Sequence, residues 1–374
     1  MKVERAHERD YDELLDVIIR CFRSDTPEHP RFKTFLPDLY RRTEADMNRH
    51  FILREAGRII SAVGVYPMSL RCGDVSMTVA GVGAVCTVPE HRGRGCMSNL
   101  LKQVRIGMIH DGYAISWLSG LRERYGRFGW EKAGSDIQIK IEGGRADQGA
   151  GSWRIRRMDA ERDSIDRLAQ AHDGVRWAGV CERPILRLKL QRYGMETWEA
   201  EAETGYAYVV LNRWKKWIAE WGGSPTGVEA LLQRQLLEGE TWAVRIPRER
   251  DGYTDLFRGL GSEVTCEHDN LAVVDLKKLV KLYHPVLADR FPQGEAVVLA
   301  VDDALCPTEV CLCGGEVSTH VPETAHRLVL DARRMALLLF GPSKPSDVVV
   351  LPAGLKWLDD IFPLPFYTPS LWRV

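Results

Sequence analysis

Two arginines and two glycines alternate in one short segment, Arg92-Gly93-Arg94-Gly95, whose composition suits it to bind an anion. The segment follows a Val- and Gly-rich stretch, residues 76–88, that predicts a β-strand. It precedes apolar residues at helical spacing between residues 97 and 108. A helix N-terminus carries unsatisfied N–H groups and a partial positive charge, and glycine lets the backbone approach a ligand closely. Strand, turn and helix together therefore predict a pyrophosphate site.

Two other phosphate-binding motifs fail on this segment. A P-loop needs Gly-Lys-Ser/Thr at the start of the helix, where residues 95–97 are Gly-Cys-Met. A dinucleotide fingerprint needs Gly-x-Gly-x-x-Gly after the strand. Here Gly81 and Gly83 lie inside the predicted strand, and Cys86 takes the place of the third glycine. For the turn taken alone, a solvent-exposed loop without a ligand remains the alternative.

The pattern Arg92-x-x-Gly95-x-Met97 resembles the acetyl-CoA motif of the GCN5-related N-acetyltransferases (GNAT), Arg/Gln-x-x-Gly-x-Gly/Ala. Met97 departs from the usual small residue, and in this the turn is similar to the bacterial enhanced intracellular survival (Eis) branch. Residues 125–130, Tyr-Gly-Arg-Phe-Gly-Trp, are similar to a second motif of that branch. The resemblance implies a transferase that uses acetyl-CoA as co-substrate and acetylates a primary amine by direct transfer in a ternary complex.

The resemblance also assigns cofactor-binding roles to residues of this sequence. Backbone groups at the end of the motif strand would pair with the pantetheine arm: Val85, Cys86 and Thr87. The turn and the first turn of the helix would hold the pyrophosphate: Arg92, Gly93, Arg94, Gly95, Cys96, Met97 and Ser98. Two residues after the next strand would border the thioester: Ser119 and Gly120.

The general acid implied by the resemblance is Tyr125, which would protonate the departing CoA thiolate. A phenol with a pKa of about 10 stays mostly protonated at neutral pH. The general base implied for this branch is the free C-terminal carboxylate, here that of Val374, and the aromatic, Pro-rich tail suits docking. The alternatives are that Tyr125 only packs at its turn and that the tail only stabilises its own domain. A covalent route through Cys86 or Cys96 lacks a recognisable base partner in the sequence.

Three charged residues bear on the acceptor. The penultimate Arg373 would repel polycationic substrates, whereas Asp25 and Glu28, in the loop after the first helix, could contact a cationic one. The sequence does not identify the acceptor beyond a small-molecule or peptide amine.

Composition excludes several other classes. The 51 Lys and Arg residues nearly balance the 52 Asp and Glu residues, so no global field attracts nucleic acid or a membrane surface. No apolar run approaches the ~20 residues of a membrane span, and the charged N-terminus lacks a signal-peptide core, so a cytoplasmic location is expected. The nine cysteines form no Cys-x-x-Cys pair, and no metal is expected.

The order of predicted elements gives an α/β (α+β) fold in three domains. Residues 1–148 would form a catalytic GNAT domain with a mixed central sheet, whose last strand contains Ile137, Ile139 and Ile141. Residues 149–270 would form a degenerate second GNAT-like domain without the Arg-x-x-Gly turn, joined by the Gly-rich linker at 143–151. By resemblance, residues 271–374 would be like sterol carrier protein, and the protein would form a homo-oligomer, often a hexamer. The alternative function is a non-catalytic carrier that binds lipid or acyl-CoA in the C-terminal domain.

Overall fold

The computed structural model describes residues 2–22, 35–143, 153–203, 205–236, 238–264 and 268–374. Its strands are, in chain order, β1 (Val3–Arg5), β2 (His50–Glu55), β3 (Arg58–Cys72), β4 (Val75–Thr87), β5 (Ile115–Leu118), β6 (Glu131–Lys132), β7 (Ile137–Glu142), β8 (Arg154–Met158), β9 (Trp177–Gly179), β10 (Met195–Ala202), β11 (Gly205–Asn212), β12 (Trp217–Gly223), β13 (Thr241–Ile246), β14 (Ser262–Val264), β15 (Asn270–Val273), β16 (Ala296–Asp302), β17 (Thr308–Cys313), β18 (Glu316–Ser318) and β19 (His326–Asp331).

The α-helices of the same residues are, in chain order, α1 (Tyr11–Phe22), α2 (Glu44–Met47), α3 (Cys96–His110), α4 (Arg122–Tyr125), α5 (Asp166–Asp173), α6 (Arg183–Leu190), α7 (Pro225–Gln235), α8 (Gly252–Leu260), α9 (Leu276–Leu282), α10 (His284–Arg290), α11 (Ala332–Phe340), α12 (Pro345–Val348) and α13 (Leu358–Ile361). Short 3₁₀ turns include Pro89–His91, Gly126–Phe128 and Ser370–Trp372. Within the described ranges no helix has the length and apolar character needed to cross a bilayer.

The strands form three mixed sheets. The first has the order β1-β2-β3-β4-β5-β15-β6, with β9 pairing with β3. The second has the order β14-β7-β13-β12-β11-β10-β8, and the third has β18-β17-β16-β19. In each of the two larger sheets a single parallel pair, β4 with β5 or β12 with β13, interrupts an antiparallel order. The predicted α/β (α+β) class is confirmed, and the second sheet repeats the strand pattern of the first.

The two larger sheets exchange strands across the predicted domain boundaries. β7, expected as the last strand of the first domain, pairs with β13 and β14 of the second sheet, so that expectation is wrong. β15 instead pairs with β5 and completes the first sheet. The alternation of buried Ile with polar residues in β7 fits either sheet, because a period of two shows which face is buried and not which strand is the partner. The boundaries at 148/149 and 270/271 therefore stay predictions about sequence ranges, and residues 144–152 of the expected linker lie outside the described residues.

The helix that follows the Arg/Gly turn, α3, is held in place by the burial of its apolar side chains. Leu100, Leu101, Val104 and Met108 of α3 are completely buried, as their helical spacing predicts. The helix packs on β2, β3 and β4, while α1 also packs on β3 and β4. The turn between β4 and α3 is thereby held at the carboxyl end of β4, an interior strand of the first sheet.

Candidate active site

The Arg/Gly turn opens onto a cleft, here called the turn cleft. Gly93 and Gly95 have φ angles of 76° and 77°, and a methyl group placed on either would meet no atom within 4 Å. Gly95 is the N-cap of α3, and no side chain caps the helix there. The cleft has a volume of about 660 Å³, and its walls are formed by Cys21, Phe22, Val85, Cys86, Thr87, His91, Arg92, Gly93, Gly95, Cys96, Met97, Ser98, Arg124 and Arg127. An anion can therefore approach the first turn of α3 without displacing a side chain.

The strand that enters the turn has one open edge. β4 pairs with β5 only at Ala80 with Ser116 and Gly81 with Trp117, although β4 continues to Thr87. A β-bulge at Ala84, whose φ is 49°, shifts the register of β4 against β3 beyond the last of these pairs. Where the two strands splay apart, no described strand pairs with the β5-facing side of residues 85–87. This edge can pair with an extended ligand that carries amide groups.

The two arginines of the turn have different surroundings. Arg92 lines the turn cleft, and its Nε donates to the carbonyl of Thr87 at 3.1 Å. Arg94 instead forms a two-pronged ion pair with Glu55, at 2.6 and 3.2 Å, and its side chain is not part of the cleft wall. The charge predicted for Arg94 is therefore largely neutralised, and only its backbone borders the turn.

Two further cations line the turn cleft, and sequence reasoning missed them. Arg124 and Arg127 approach from the segment around α4, and Arg127 Nη2 donates to Ser98 Oγ at 3.0 Å. Their signal was available in the sequence, because Arg124 directly precedes the second motif and Arg127 lies within it. The opening therefore carries three arginines, although the chain as a whole is nearly neutral.

Tyr125 and Gly120 lie in contact. A methyl group on Gly120 would come within 2.6 Å of the Tyr125 ring, so a side chain at 120 would displace the phenol. Tyr125 is only 6 % exposed, and its side chain is not part of the walls of the turn cleft. Burial raises the pKa of its phenol, partly offset by Arg124. The phenol is therefore protonated at neutral pH and can act as a proton donor.

The C-terminus returns to β4. A methyl group on Gly81 would lie 2.8 Å from Val374 Cγ2, and one on Gly83 would lie 3.6 Å from the carboxyl carbon of Val374. The two glycines therefore make room for the chain end at the point where β5 diverges. Val374 and Ser119 also line a second cavity of about 330 Å³, here called the tail cavity. Sequence reasoning used these glycines only to exclude a dinucleotide motif.

Buried charges hold the tail in this position. Arg192 Nη1 donates to the carbonyls of Leu371 and Arg373 at 2.8 and 2.9 Å. The same guanidinium binds both oxygens of Asp38 at 2.7 and 2.6 Å, and Lys189 Nζ donates to Asp38 at 3.0 Å. Burial raises the pKa of Asp38, but the two cations outweigh it and hold that pKa well below its usual range. Asp38, in the segment before α2, is thereby joined through Lys189 and Arg192 to α6 and to the end of the chain.

Contacts of Trp372 and Arg373 complete the docking of the tail. The Trp372 ring stacks on His172 with centroids 5.1 Å apart and an interplanar angle of 2°. It also covers Gly179, which has no side chain to obstruct it. Arg373 pairs with Asp269 at 2.8 Å and lies 3.7 Å from Asp136. The charge expected to repel polycations is therefore partly balanced, whereas Asp25 and Glu28 lie outside the described residues.

Across the described ranges, no group of three or more His, Cys, Asp or Glu residues is arranged to hold a metal ion. The junction that corresponds to the Arg/Gly turn in the second sheet runs from β12 through Ser224 directly into α7. The N-cap there is Ser224 instead of a glycine, and no arginine lies at the helix start, so the Arg-x-x-Gly turn is not repeated.

Comparison with known proteins agrees with this geometry. Residues 2–133 match the family described as Acetyltransferase (GNAT) domain. The chain contains a GNAT acetyltransferase domain. It is therefore an enzyme of the acyltransferase class. No curated protein matches the chain.

Solved structures extend the likeness of fold to nearly the whole chain. Eis1 from Mycobacterium abscessus superposes with a TM-score of 0.67 at 17% identity, covering 98% of this chain and 99% of that one. A GCN5-related N-acetyltransferase from Kribbella flavida gives 0.68 at 18% identity, covering 98% and 96%. One from Anabaena variabilis gives 0.68 at 16% identity, covering 97% and 98%. At these identities the likeness concerns the fold alone, and the resemblance of residues 271–374 to sterol carrier protein stays a prediction.

Proposed function

We propose that this protein is an N-acetyltransferase that transfers the acetyl group of acetyl-CoA directly to a primary amine in a ternary complex. The observation that supports this most strongly is the position of the C-terminus over Gly81 and Gly83. This is the stretch of β4 from which the open edge leads into the turn cleft. The proposed reaction uses a carboxylate as the base, an open strand edge to bind the pantetheine amides and an uncapped helix N-terminus to bind the pyrophosphate.

Acetyl-CoA would occupy the turn cleft. The amides of residues 93–98 bind its pyrophosphate, and Arg92, Arg124 and Arg127 contribute positive charge. The pantetheine amides pair with the open edge of β4 at residues 85–87, in the place that β5 leaves free. The thioester then lies near Gly120, and the acceptor amine enters from the tail cavity, which Ser119 and Val374 line.

The proposed chemistry uses two proton transfers. The amine nitrogen attacks the thioester carbon, and the proton that the nitrogen loses as the C–N bond forms goes to the Val374 carboxylate. The C–S bond then breaks, and the CoA thiolate takes the hydroxyl proton of Tyr125. Burial raises the pKa of Tyr125, which keeps this proton in place at neutral pH until the thiolate forms. A homo-oligomer, a hexamer by resemblance, and a cytoplasmic location are further parts of the proposal.

The test combines acetyl-CoA binding with turnover in Tyr125→Phe. Saturating acetyl-CoA should raise the Tm of the wild type and of the variant equally, because a ligand that binds only the folded state stabilises it. Thiol release with an amine panel should fall about 100-fold or more in the variant, the usual range for a lost general acid. Tyr113→Phe, a half-buried tyrosine outside both cavities, is the control.

Full turnover in Tyr125→Phe would remove Tyr125 from the mechanism. A wild type that neither gains stability from acetyl-CoA nor releases thiol with any amine would contradict the proposed function. That result would favour the lipid or acyl-CoA carrier instead.

A further inference from the structure

The tail cavity has aromatic walls from separate parts of the chain. Phe35 and Tyr193 face each other with ring centroids 6.4 Å apart, and Trp117 and Trp217 line the cavity from β5 and β12. A volume of about 330 Å³ lies at the lower end of the range for small-molecule sites, which is roughly 300–1,000 Å³. The cavity therefore suits a compact ligand with an aromatic or apolar group.

The charges around the tail cavity are unevenly distributed. Three cations line it, Arg192, Lys215 and Arg373, whereas no Asp or Glu occurs among the described lining residues. The negative group in these described walls is the C-terminal carboxylate of Val374. A second ammonium group on a ligand would therefore meet cations wherever it lay away from the chain end.

Lys215 differs from the two arginines in that no described carboxylate neutralises it. Arg192 is paired with Asp38 and Arg373 with Asp269. Among the described residues no carboxylate pairs with Lys215 Nζ, which lies over the Trp214 ring at 5.6 Å from its centroid. Lys215 is an exposed residue at the cavity mouth, yet the protein around its ammonium, followed by the charge of Arg373, lowers its pKa. An anion bound beside Lys215 would stabilise the charged ammonium and so offset the burial and the repulsion by Arg373.

We propose that the acceptor is a small zwitterion, a primary amine that carries an aromatic or apolar group and a carboxylate, and that Lys215 binds the carboxylate. This inference rests on the proposed function. The amine faces the Val374 carboxylate, the aromatic or apolar group contacts the ring walls, and the acceptor carboxylate pairs with Lys215 at the mouth. Aromatic α-amino acids and short peptides have this chemistry, whereas polyamines and aminoglycosides do not.

Three matched acceptors test the inference: phenylalanine, phenylalaninamide and phenethylamine. They share the amine and the ring and differ in the carboxylate. We expect kcat/KM, measured by thiol release, to be at least about tenfold higher for phenylalanine than for the other two, as for one hydrogen bond to a charged group. Spermine and an aminoglycoside should be poorer still. Equal or higher kcat/KM for phenethylamine or spermine would overturn the inference.

The variant Lys215→Met tests whether Lys215 causes the preference for an acceptor with a carboxylate. The preference for phenylalanine over phenylalaninamide should fall about tenfold, mainly through KM, while stabilisation by acetyl-CoA stays unchanged. Lys215→Arg should retain the preference. Lys216→Met is the matched control, because Lys216 pairs with Glu240 and faces Trp242 outside the cavity. An unchanged preference in Lys215→Met would overturn the assignment.

Calorimetric binding of the same three compounds to the enzyme–CoA complex keeps the two hypotheses separate. If no amine is acetylated but phenylalanine binds at least tenfold more tightly than phenethylamine and loses this advantage in Lys215→Met, the proposed function fails and the anion site stands. If amines are acetylated but phenylalanine neither binds nor reacts preferentially, the inference fails and the proposed function stands.

Discussion

Arg192 should position the C-terminal carboxylate, and Arg192→Met tests this. The change removes two hydrogen bonds from a charged donor to tail carbonyls and leaves Asp38 with Lys189 alone. Because the Arg192 and Asp38 side chains are 4 % and 1 % exposed, the interaction is barely screened by solvent. Breaking one partner of a buried pair typically costs about 3–5 kcal/mol, and we expect a loss of that order in the free energy of unfolding.

The catalytic effect can be separated from the loss of stability. In the triple variant Asp38→Asn/Lys189→Met/Arg192→Met no buried charge of this cluster is left without its partner, so part of the stability should return. The carbonyls of Leu371 and Arg373 still lack their donor, and a misplacement of about 1 Å can cost about 100-fold in rate. We therefore expect kcat to remain about 100-fold low in both variants. The assays are urea unfolding followed by tryptophan fluorescence and thiol release at saturating substrates.

Arg187→Met is the control, because Arg187 lies on α6, shortly before Arg192 in the chain, and donates to the carbonyls of Ala160 and Asp163, away from the tail. It should lose stability without the fall in kcat. The folded pKa of Asp38 lies below its unfolded value of about 4, so its stabilisation is complete above that pH and is lost as the pH falls below it. The stability difference between wild type and Asp38→Asn should shrink accordingly in acid. Normal kcat in a destabilised Arg192→Met would refute the positioning role.

Three further predictions concern the turn cleft and the acid. Because the pKa of Tyr125 is raised above the ordinary value of about 10, the phenol should lose its proton, and kcat should fall, only at more alkaline pH than that value. The residual rate of Tyr125→Phe should lack this alkaline fall. A fall that is unchanged in the variant would contradict the assignment. Arg127→Gln should weaken acetyl-CoA binding about tenfold in calorimetry while leaving the acceptor KM unchanged, because Arg127 lines only the turn cleft; unaltered affinity would argue against its role. Gly95→Ala should lower the free energy of unfolding by about 1–2 kcal/mol in urea, because φ is 77°, and should also reduce the Tm shift with acetyl-CoA; full stability would contradict the left-handed N-cap.

The parts of the site that could be predicted from the sequence are local ones. Gly93 and Gly95 follow a strand and precede a helix, so their positive φ and the open helix start depend on neighbouring residues. The strand of Ile137 was expected in the wrong sheet, because its alternation specifies a buried face and not a partner. Arg192 and Asp38 are 154 positions apart, and no local pattern predicts their pairing.

The position of the C-terminus beside β4 could not be predicted from local sequence patterns. The position of Val374 was expected only from a family resemblance, since nothing in the spacing of residues links the chain end to β4. Gly81 and Gly83 leave the space that the chain end occupies, but a glycine inside a strand can also mark a bulge or a close approach of another part of the chain. Arg124 and Arg127 were missed because their segment was interpreted through Tyr125 alone.

The central claim is that the carboxylate of Val374 is the general base, and its replacement by a carboxamide tests that claim most directly. Semisynthesis of the full chain with an amidated C-terminus removes the negative charge and preserves the shape of the group, and Val374→Ala with a free carboxylate is the control. We expect the amidated enzyme to keep its stabilisation by acetyl-CoA and to lose about 100-fold or more in kcat, whereas Val374→Ala keeps most of its activity. An amidated enzyme with full kcat would contradict the mechanism.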